Sequence, residues 1–346
     1  MPVLTRPAGR KPGASPAPIS VGTGFLALDW LLLGKERVRA NKRYAGGSCG
    51  NVMTILAYLG WKSFPVARLG TDHNARHLLD DLKDCGVETK FIRRAGTGAT
   101  PVIVVRVTEN EDGQYRSRFE WRHPQSGGRL PAYRPLPKAL AEHFSHTLPS
   151  AHVFYFDRAV PSSLLLATEM RKRGAVVFFE PSSCKDERMF TACMAVSDIV
   201  KYSADRIAEP PKNPESPSPR LEIQTLGSHG LRYRLKQNSN KPGPWKDLEA
   251  FSVNNFKDAT GCGDWCSAGL IYQIGTTGRD EFLRLNETKI ATGLRFGQAL
   301  AAVNCQFEGA RGPMYEFSGD ELIAQAEKFI TPDQSEKKHR SHFASV

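Results

Sequence analysis

Apolar residues along the chain recur with two alternating periods. Ile19 to Gly24 is a short apolar run ending in glycine, the pattern of a first core strand. From Ser48 the spacing turns helical. Val52, Ile55, Leu56 and Leu59 share one face, Ser48 is placed to N-cap and Gly60 to stop the helix. Ser63 to Leu69 reads as a strand, and Asp72 opens a second helix through Leu78, Leu79 and Leu82 that Gly86 closes. The alternation resumes with a strand at His152–Phe156, a helix at Pro161–Arg173 and a strand at Ala175–Glu180. Two further short strands are predicted at Asp198–Lys201 and Leu221–Leu226. Strands alternating with helices predict βαβ units, and therefore an α/β fold with a mostly parallel sheet covered on both faces. No internal repeat interrupts it.

Two segments break this rhythm. Pro101–Thr108 and Tyr115–Trp121 are rich in β-formers and flank the turn-like Glu109–Gly113, so they predict a hairpin. A hairpin inserted into an α/β core suits a lid or an interface. Its apolar Val102, Val104 and Phe119 are compatible with homodimer formation through it, and equally with folding against its own core. The proline-rich Glu209–Arg220 predicts an exposed loop.

Composition changes the picture at the ends. The chain has 346 residues, 40% hydrophobic and 24% charged, enough for one large core. Residues 1–18 lack an apolar stretch of the signal-peptide kind and read as a disordered arm, and 331–346 read as a basic tail. No stretch approaches the length of a membrane span. The formal net charge of +11 is scattered rather than gathered in a stripe, which favours solubility and steering of anionic small molecules over nucleic-acid binding. Seven cysteines without paired C-x-x-C spacing fit thiols in a reducing cytoplasm. His73 and His77, four apart, lack a third ligand nearby.

Three glycine-bearing runs can carry chemistry. Gly261, Cys262 and Gly263 precede Asp264 at the start of a predicted helix, Trp265–Ile274. Such a turn points backbone N–H groups and the positive end of a helix dipole at an anion. An aspartate in the first helical turn lies beside that anion and can take a proton from an attacking hydroxyl. By itself the run suits a tight turn equally well. Gly46 and Gly47 allow close approach of backbone to a ligand, and Asn51 offers both donor and acceptor to hydroxyls. Asp29, just past the first strand, could accept from neighbouring hydroxyls. Thr225-Leu226-Gly227-Ser228-His229-Gly230 follows an apolar strand as a glycine turn suited to a nucleotide or to a hairpin.

Taken together, these runs resemble the ribokinase-like, or PfkB, carbohydrate kinase family from about Ile19 to Gly312. Gly46-Gly47 with Asn51, followed by Arg68-Leu69-Gly70-Thr71-Asp72, is similar to the family's N-terminal signature. Asp258-Ala259-Thr260-Gly261-Cys262-Gly263-Asp264 is similar to its C-terminal signature, with Ala259 for the usual Thr and Cys262 for the usual Ala. The resemblance implies a three-layer α/β/α domain over residues 19–330, with a small β lid inserted at about 25–45 and 98–122. It implies ATP as phosphoryl donor, Mg²⁺ on its phosphates, a sugar-like acceptor and a cytoplasmic enzyme. By position, Asp264 is the base, and the amides of Gly261, Cys262 and Gly263 form the anion hole. Asp29, Gly46, Gly47 and Asn51 line the acceptor pocket. Thr225, Gly227 and Gly230 contact the nucleotide, with Gln298 near the adenine. Asp258 and Thr260 stand where some relatives hold a monovalent cation, which the resemblance allows here.

The chain departs from the family where an Asn-x-x-Glu motif should organise Mg²⁺ through water. Ser203 takes the Asn place and Arg206 the Glu place, leaving Asp205 one position off as the carboxylate for that role. Ser48 stands where ribokinases have Lys, so the acceptor need not be ribose. A nucleoside kinase, or a catalytically weak relative acting through a partner, are the alternatives to a sugar kinase.

Overall fold

A computed structural model describes residues 4–5, 7, 16–33, 42–94, 96, 98–109, 115–211, 217–236 and 241–331. The first elements are β1 (Ile19–Thr23), β2 (Ala27–Leu33), β3 (Lys42–Gly46), α1 (Ser48–Tyr58), β4 (Lys62–Leu69), α2 (His73–Asp84) and β5 (Ile92–Arg94). Then come β6 (Val102–Glu109), β7 (Tyr115–Glu120), α3 (Lys138–Thr147), β8 (Val153–Phe156), α4 (Pro161–Lys172), β9 (Val176–Phe179), α5 (Glu187–Val196) and β10 (Ile199–Ser203). The chain closes with β11 (Leu221–Thr225), β12 (Leu231–Leu235), β13 (Lys246–Leu248), α6 (Cys262–Ile274), α7 (Arg279–Arg284), α8 (Glu287–Asn304) and α9 (Gly319–Ile330).

Nine strands form the main sheet in the order β13-β12-β11-β10-β9-β8-β1-β4-β5. From β5 to β11 all neighbours are parallel, and β12 and β13 add an antiparallel edge. Alternation along each strand divides the core in two. Val153 and Tyr155 of β8, with Val176 and Phe178 of β9, face α1, α6 and α8. Phe154, Phe156, Val177 and Phe179 face the layer of α3, α4 and α5. The result is a three-layer α/β/α domain. No described helix is long and apolar enough to cross a membrane.

The strands and helices expected from the sequence are present with ends within three residues, but one cap differs. Ser48 is the first residue of α1, not its cap; Gly47, at φ 78°, holds that place without a side-chain bond. The amide of Cys49 instead donates to Asp157 Oδ2 at 3.2 Å, so a carboxylate at the end of β8 caps the helix from across the sheet. Asp72 does cap α2, accepting from the Ala75 amide at 2.9 Å.

A second sheet has the order β3-β2-β6-β7. Here alternation sends the hairpin's apolar positions to two faces. Val102 and Val104 pack inward with Leu28, Trp30 and Leu32 against Leu78 and Leu82 of α2. Phe119 pairs with Val105, so it lies on the opposite face from Val104, where it stays 44% exposed. The three residues do not make one surface. The turn at 110–114 and most of both terminal segments lie outside the described residues. Leu4 and Thr5 are exceptions within the expected arm. Leu4 packs on the core, and Thr5 hydrogen-bonds Tyr58, Met314 and Phe317.

Candidate active site

The parallel strands end at one edge of the sheet, and their C-terminal extensions supply the polar residues there, as open α/β sheets generally do. Gly261 precedes α6 in the left-handed region at φ 78°, and a Cβ on it would lie 2.7 Å from Ala310 Cα and Cβ. That turn places Asp264 in the first turn of α6. The amide of Cys262 is already engaged, donating to Ala259 O at 3.2 Å. Of the three amides expected to face an anion, those of Gly261 and Gly263 meet no backbone acceptor among the described residues. Gly263 itself is exposed.

Asn51 Nδ2 donates to Asp264 Oδ2 at 2.7 Å, across 213 residues of sequence. Asp264 is half-buried as a residue, but its carboxylate is walled in by protein. Burial and the nearby Glu180 carboxylate push it up to about 8, against the opposing pull of Asn51, Lys201 and Arg206. Lys201, fully enclosed in β10, makes an ion pair with Glu180 at the end of β9 and donates to Gly263 O at 3.0 Å. Glu180 also accepts from Ser267 of α6 and from Tyr155 at 3.1 Å.

Asp29 lies in β2, on the sheet face with Ala27 and Leu31, opposite Tyr44 of β3. Its carboxylate presses on Gly46, where a Cβ would come within 2.1 Å. Burial raises Asp29 to about 7, with Arg311 pulling the other way. Gly46 and Gly47 then lead directly into α1 and Asn51. Asp29 Oδ1 and Asn51 Oδ1 are both buried without a hydrogen-bond partner. Buried acceptors are normally satisfied, so these two atoms mark positions suited to a ligand's donors. A cleft of about 270 Å³ opens beside Asp29. It is lined by Leu31, Tyr44 and Val105 of the second sheet and by Lys257, Thr260, Phe307–Gly312 and Tyr315 of the core.

The expected nucleotide residues fall into two groups. Thr225 ends β11, and its carbonyl accepts from the Ala204 amide at 3.0 Å, tying it to the turn that carries Asp205. Gly227 has φ 60° and open space where a Cβ would stand. Gly230, at φ 93°, meets backbone: a Cβ would lie 2.1 Å from Leu248 O. Gln298 of α8 donates to the same segment, to Leu248 O at 3.1 Å and Glu249 O at 3.3 Å. Both therefore shape the 248–250 loop.

Asp205 and Arg206 are exposed on the turn after β10. With Glu180 paired to Lys201 and the Arg206 cation where the family carries a carboxylate, these residues do not fit a resident Mg²⁺. No described cluster of three His, Cys, Asp or Glu could hold a metal. Asp258 turns into its own loop: Oδ1 accepts from the Thr260 amide and hydroxyl, both at 2.9 Å, and Oδ2 from the Gly309 amide at 2.9 Å.

Sequence reasoning passed over four residues that the fold brings to this edge. They are Asp157, Glu180, Lys201 and Arg311. Asp157 Oδ1 accepts from the Phe25 amide at 2.8 Å and occupies the space a Cβ on Gly24 would need. Arg311 is buried and ion-paired with Asp81, whose Oδ2 also accepts from the Ala45 amide at 2.7 Å. A buried charge in a strand, such as Lys201 among Ile199, Val200 and Tyr202, is the signal that was available.

Comparison with known proteins gives the context for this geometry. The pattern of the pfkB family carbohydrate kinases matches residues 33–208. The chain is 24% identical over 292 residues to a probable chloroplastic fructokinase-6 of Arabidopsis thaliana, covering 78% of this chain and 72% of that one. Ribokinase from Giardia lamblia superposes with a TM-score of 0.67 at 15% identity, over 90% of this chain and 100% of that one. Fructokinase with bound ATP from Xylella fastidiosa gives 0.64 at 18% identity, over 90% and 98%. These likenesses show a ribokinase-like fold.

Proposed function

Because the chain belongs to the pfkB family of carbohydrate kinases, we propose that it transfers the γ-phosphoryl group of ATP to a hydroxyl of a sugar or sugar-like small molecule. The observation that carries this reading is the 2.7 Å hydrogen bond from Asn51 to Asp264, which joins the N-terminal and C-terminal signatures at one carboxylate.

Each residue then has a physical task. Asp264, once ionised, takes the acceptor proton as the hydroxyl oxygen attacks phosphorus in line. Asn51 holds that carboxylate in one orientation, leaving its own Oδ1 and that of Asp29 to accept from neighbouring hydroxyls of the acceptor. The N-terminus of α6, with the Gly263 amide, faces the charge that builds on the transferring group. Lys201 fixes the Gly263 carbonyl, and through it the turn. Thr225 and Gly227 border the nucleotide, and the second sheet covers the acceptor and excludes water. Mg²⁺ would arrive with the nucleotide phosphates.

The departure at Ser203 and Arg206 favours a second reading, a ligand-binding relative with weak catalysis. One assay addresses both: ATP consumption by the purified protein against a panel of sugars and nucleosides. The expected result is acceptor-dependent turnover that falls by roughly 10²–10⁴-fold in Asp264→Asn, the usual contribution of a general base. Turnover surviving that change would remove Asp264 from the mechanism. Binding without turnover for every acceptor would leave the second reading.

A further inference from the structure

The turn before Asp264 carries a thiol, Cys262, where the family signature has Ala. Its sulfur lies 3.0 Å from that of Cys305. The meeting is built by the helices that carry them. Gly269 of α6 and Gly297 of α8 bring the two backbones into contact, a Cβ on Gly297 falling 2.4 Å from Cys266 O. The first residue of α6 thereby reaches the C-cap of α8, which is Cys305. The carbonyl of Cys305 accepts from the Lys257 amide at 2.7 Å, and Asn304 Nδ2 donates to Thr260 O at 2.9 Å. Cys305 is thus pinned to the strand of chain that leads into the glycine turn. As residues, Cys262 and Cys305 are partly exposed, as is Cys184, whereas Cys49, Cys85, Cys193 and Cys266 are buried.

We propose that Cys262 and Cys305 are a redox modification site, forming a reversible disulfide that switches phosphoryl transfer off. With hydrogen peroxide as oxidant, one thiolate attacks a peroxide oxygen and the O–O bond breaks. That sulfur becomes a sulfenic acid and the other oxygen leaves as water. The second sulfur attacks the sulfenic sulfur, the S–O bond breaks and a second water leaves. Two thiols lose two electrons and two protons, and one peroxide becomes two waters. An S–S bond is about 2.05 Å long, so the sulfurs close by roughly 1 Å. Cys305 is pinned on one side and Lys201 holds the Gly263 carbonyl on the other, so closing the gap strains the glycine turn that carries Cys262, Gly263 and Asp264. A shift of about 1 Å at a reacting group costs on the order of 100-fold in rate. In a reducing compartment such a bond is transient, as a sensor requires.

The site stands on the thiol geometry; its effect on turnover rests on the reading of Asp264 as the base. Two readouts on the full chain keep these apart. The first is peptide mapping under non-reducing conditions, before and after peroxide. A Cys262–Cys305 linked peptide that dithiothreitol removes is expected. Its absence overturns the proposal. The second is acceptor-dependent ATP turnover, expected to fall roughly 10–100-fold with the link and to recover on reduction. Cys305→Ala should keep its peroxide-free turnover while losing both the link and the sensitivity, with Cys305→Ser as the second variant should Ala not fold. Equal inactivation of wild type and variant, or a linked protein with unchanged turnover, sinks the switch. If the reduced protein turns over no acceptor, the kinase reading fails instead. The switch is then judged on whether the link abolishes the rise in melting temperature caused by ATP.

Discussion

Asp264 is held where a carboxylate is a stronger base than in water. Burial and Glu180 raise it to about 8, while Asn51 draws it down. A base must be ionised to work, so kcat/KM should rise with pH and inflect near 8. Asn51→Ala removes the hydrogen bond that stabilises the ionised form. It should move the inflection upward and lower kcat/KM by roughly 10–100-fold, the value of a hydrogen bond to a charge. An inflection that stays in place in the variant would detach the titration from Asp264. The same shift has a cost in stability. The folded protein keeps a proton that the unfolded chain releases from about pH 4 upward, so stability contributed by this group is lost as pH rises through about 8. Asp264→Asn should therefore raise the melting temperature more at pH 9 than at pH 5, measured by thermal unfolding at each pH.

Among the elements, β9, β10 and α6 behave as a unit because Lys201 joins them. Replacing Lys201 by Met leaves Glu180 enclosed without its counter-charge, at a cost of about 3–5 kcal/mol. Denaturant unfolding should show that loss, and adding Glu180→Gln should recover most of it. Whether an element could be read from the sequence followed its surroundings. The strands β8 and β9 stand out as apolar runs because both their faces are covered. Helix α4 is marked by its N1 proline and α2 by its aspartate cap. Helix α8 is buried nearly all round at its centre, so its apolar residues trace no single face. Strands β12 and β13 alternate too briefly at the sheet edge. Asp264 and Asn51 stand out in the sequence because a glycine precedes each, and Asp29 because it follows Gly24 by five residues, just past the first strand. Asp157, Glu180 and Arg311 do not, since their partners are set by which strands and loops become neighbours, and no local pattern encodes that.

Across the molecule, one buried ion pair ties the second sheet to the core. Asp81 of α2 receives Arg311 from the core loop and the Ala45 amide from β3. Asp81→Ala would strand the Arg311 cation inside the protein, with a loss of about 3–5 kcal/mol in denaturant unfolding. It would also loosen the strand beside Asp29. The KM for the acceptor should rise with little change in kcat, because the lost contacts serve binding and not the reacting atoms. A fall in kcat with KM unchanged would place Asp81 nearer the chemistry than its position indicates.

The order of strands in the main sheet also bears on how the protein is made. β1 sits between β4 and β8, so a chain emerging from the ribosome can pair β1 with β4 early. Its other edge stays open until residues 153–156 have been synthesised. Asn51 waits longer, for a partner 213 residues further on. Nascent chains stopped before α6 would carry an uncovered sheet face and an unfinished site. They would depend on chaperones to escape aggregation, and catalytic competence would wait on the arrival of α6.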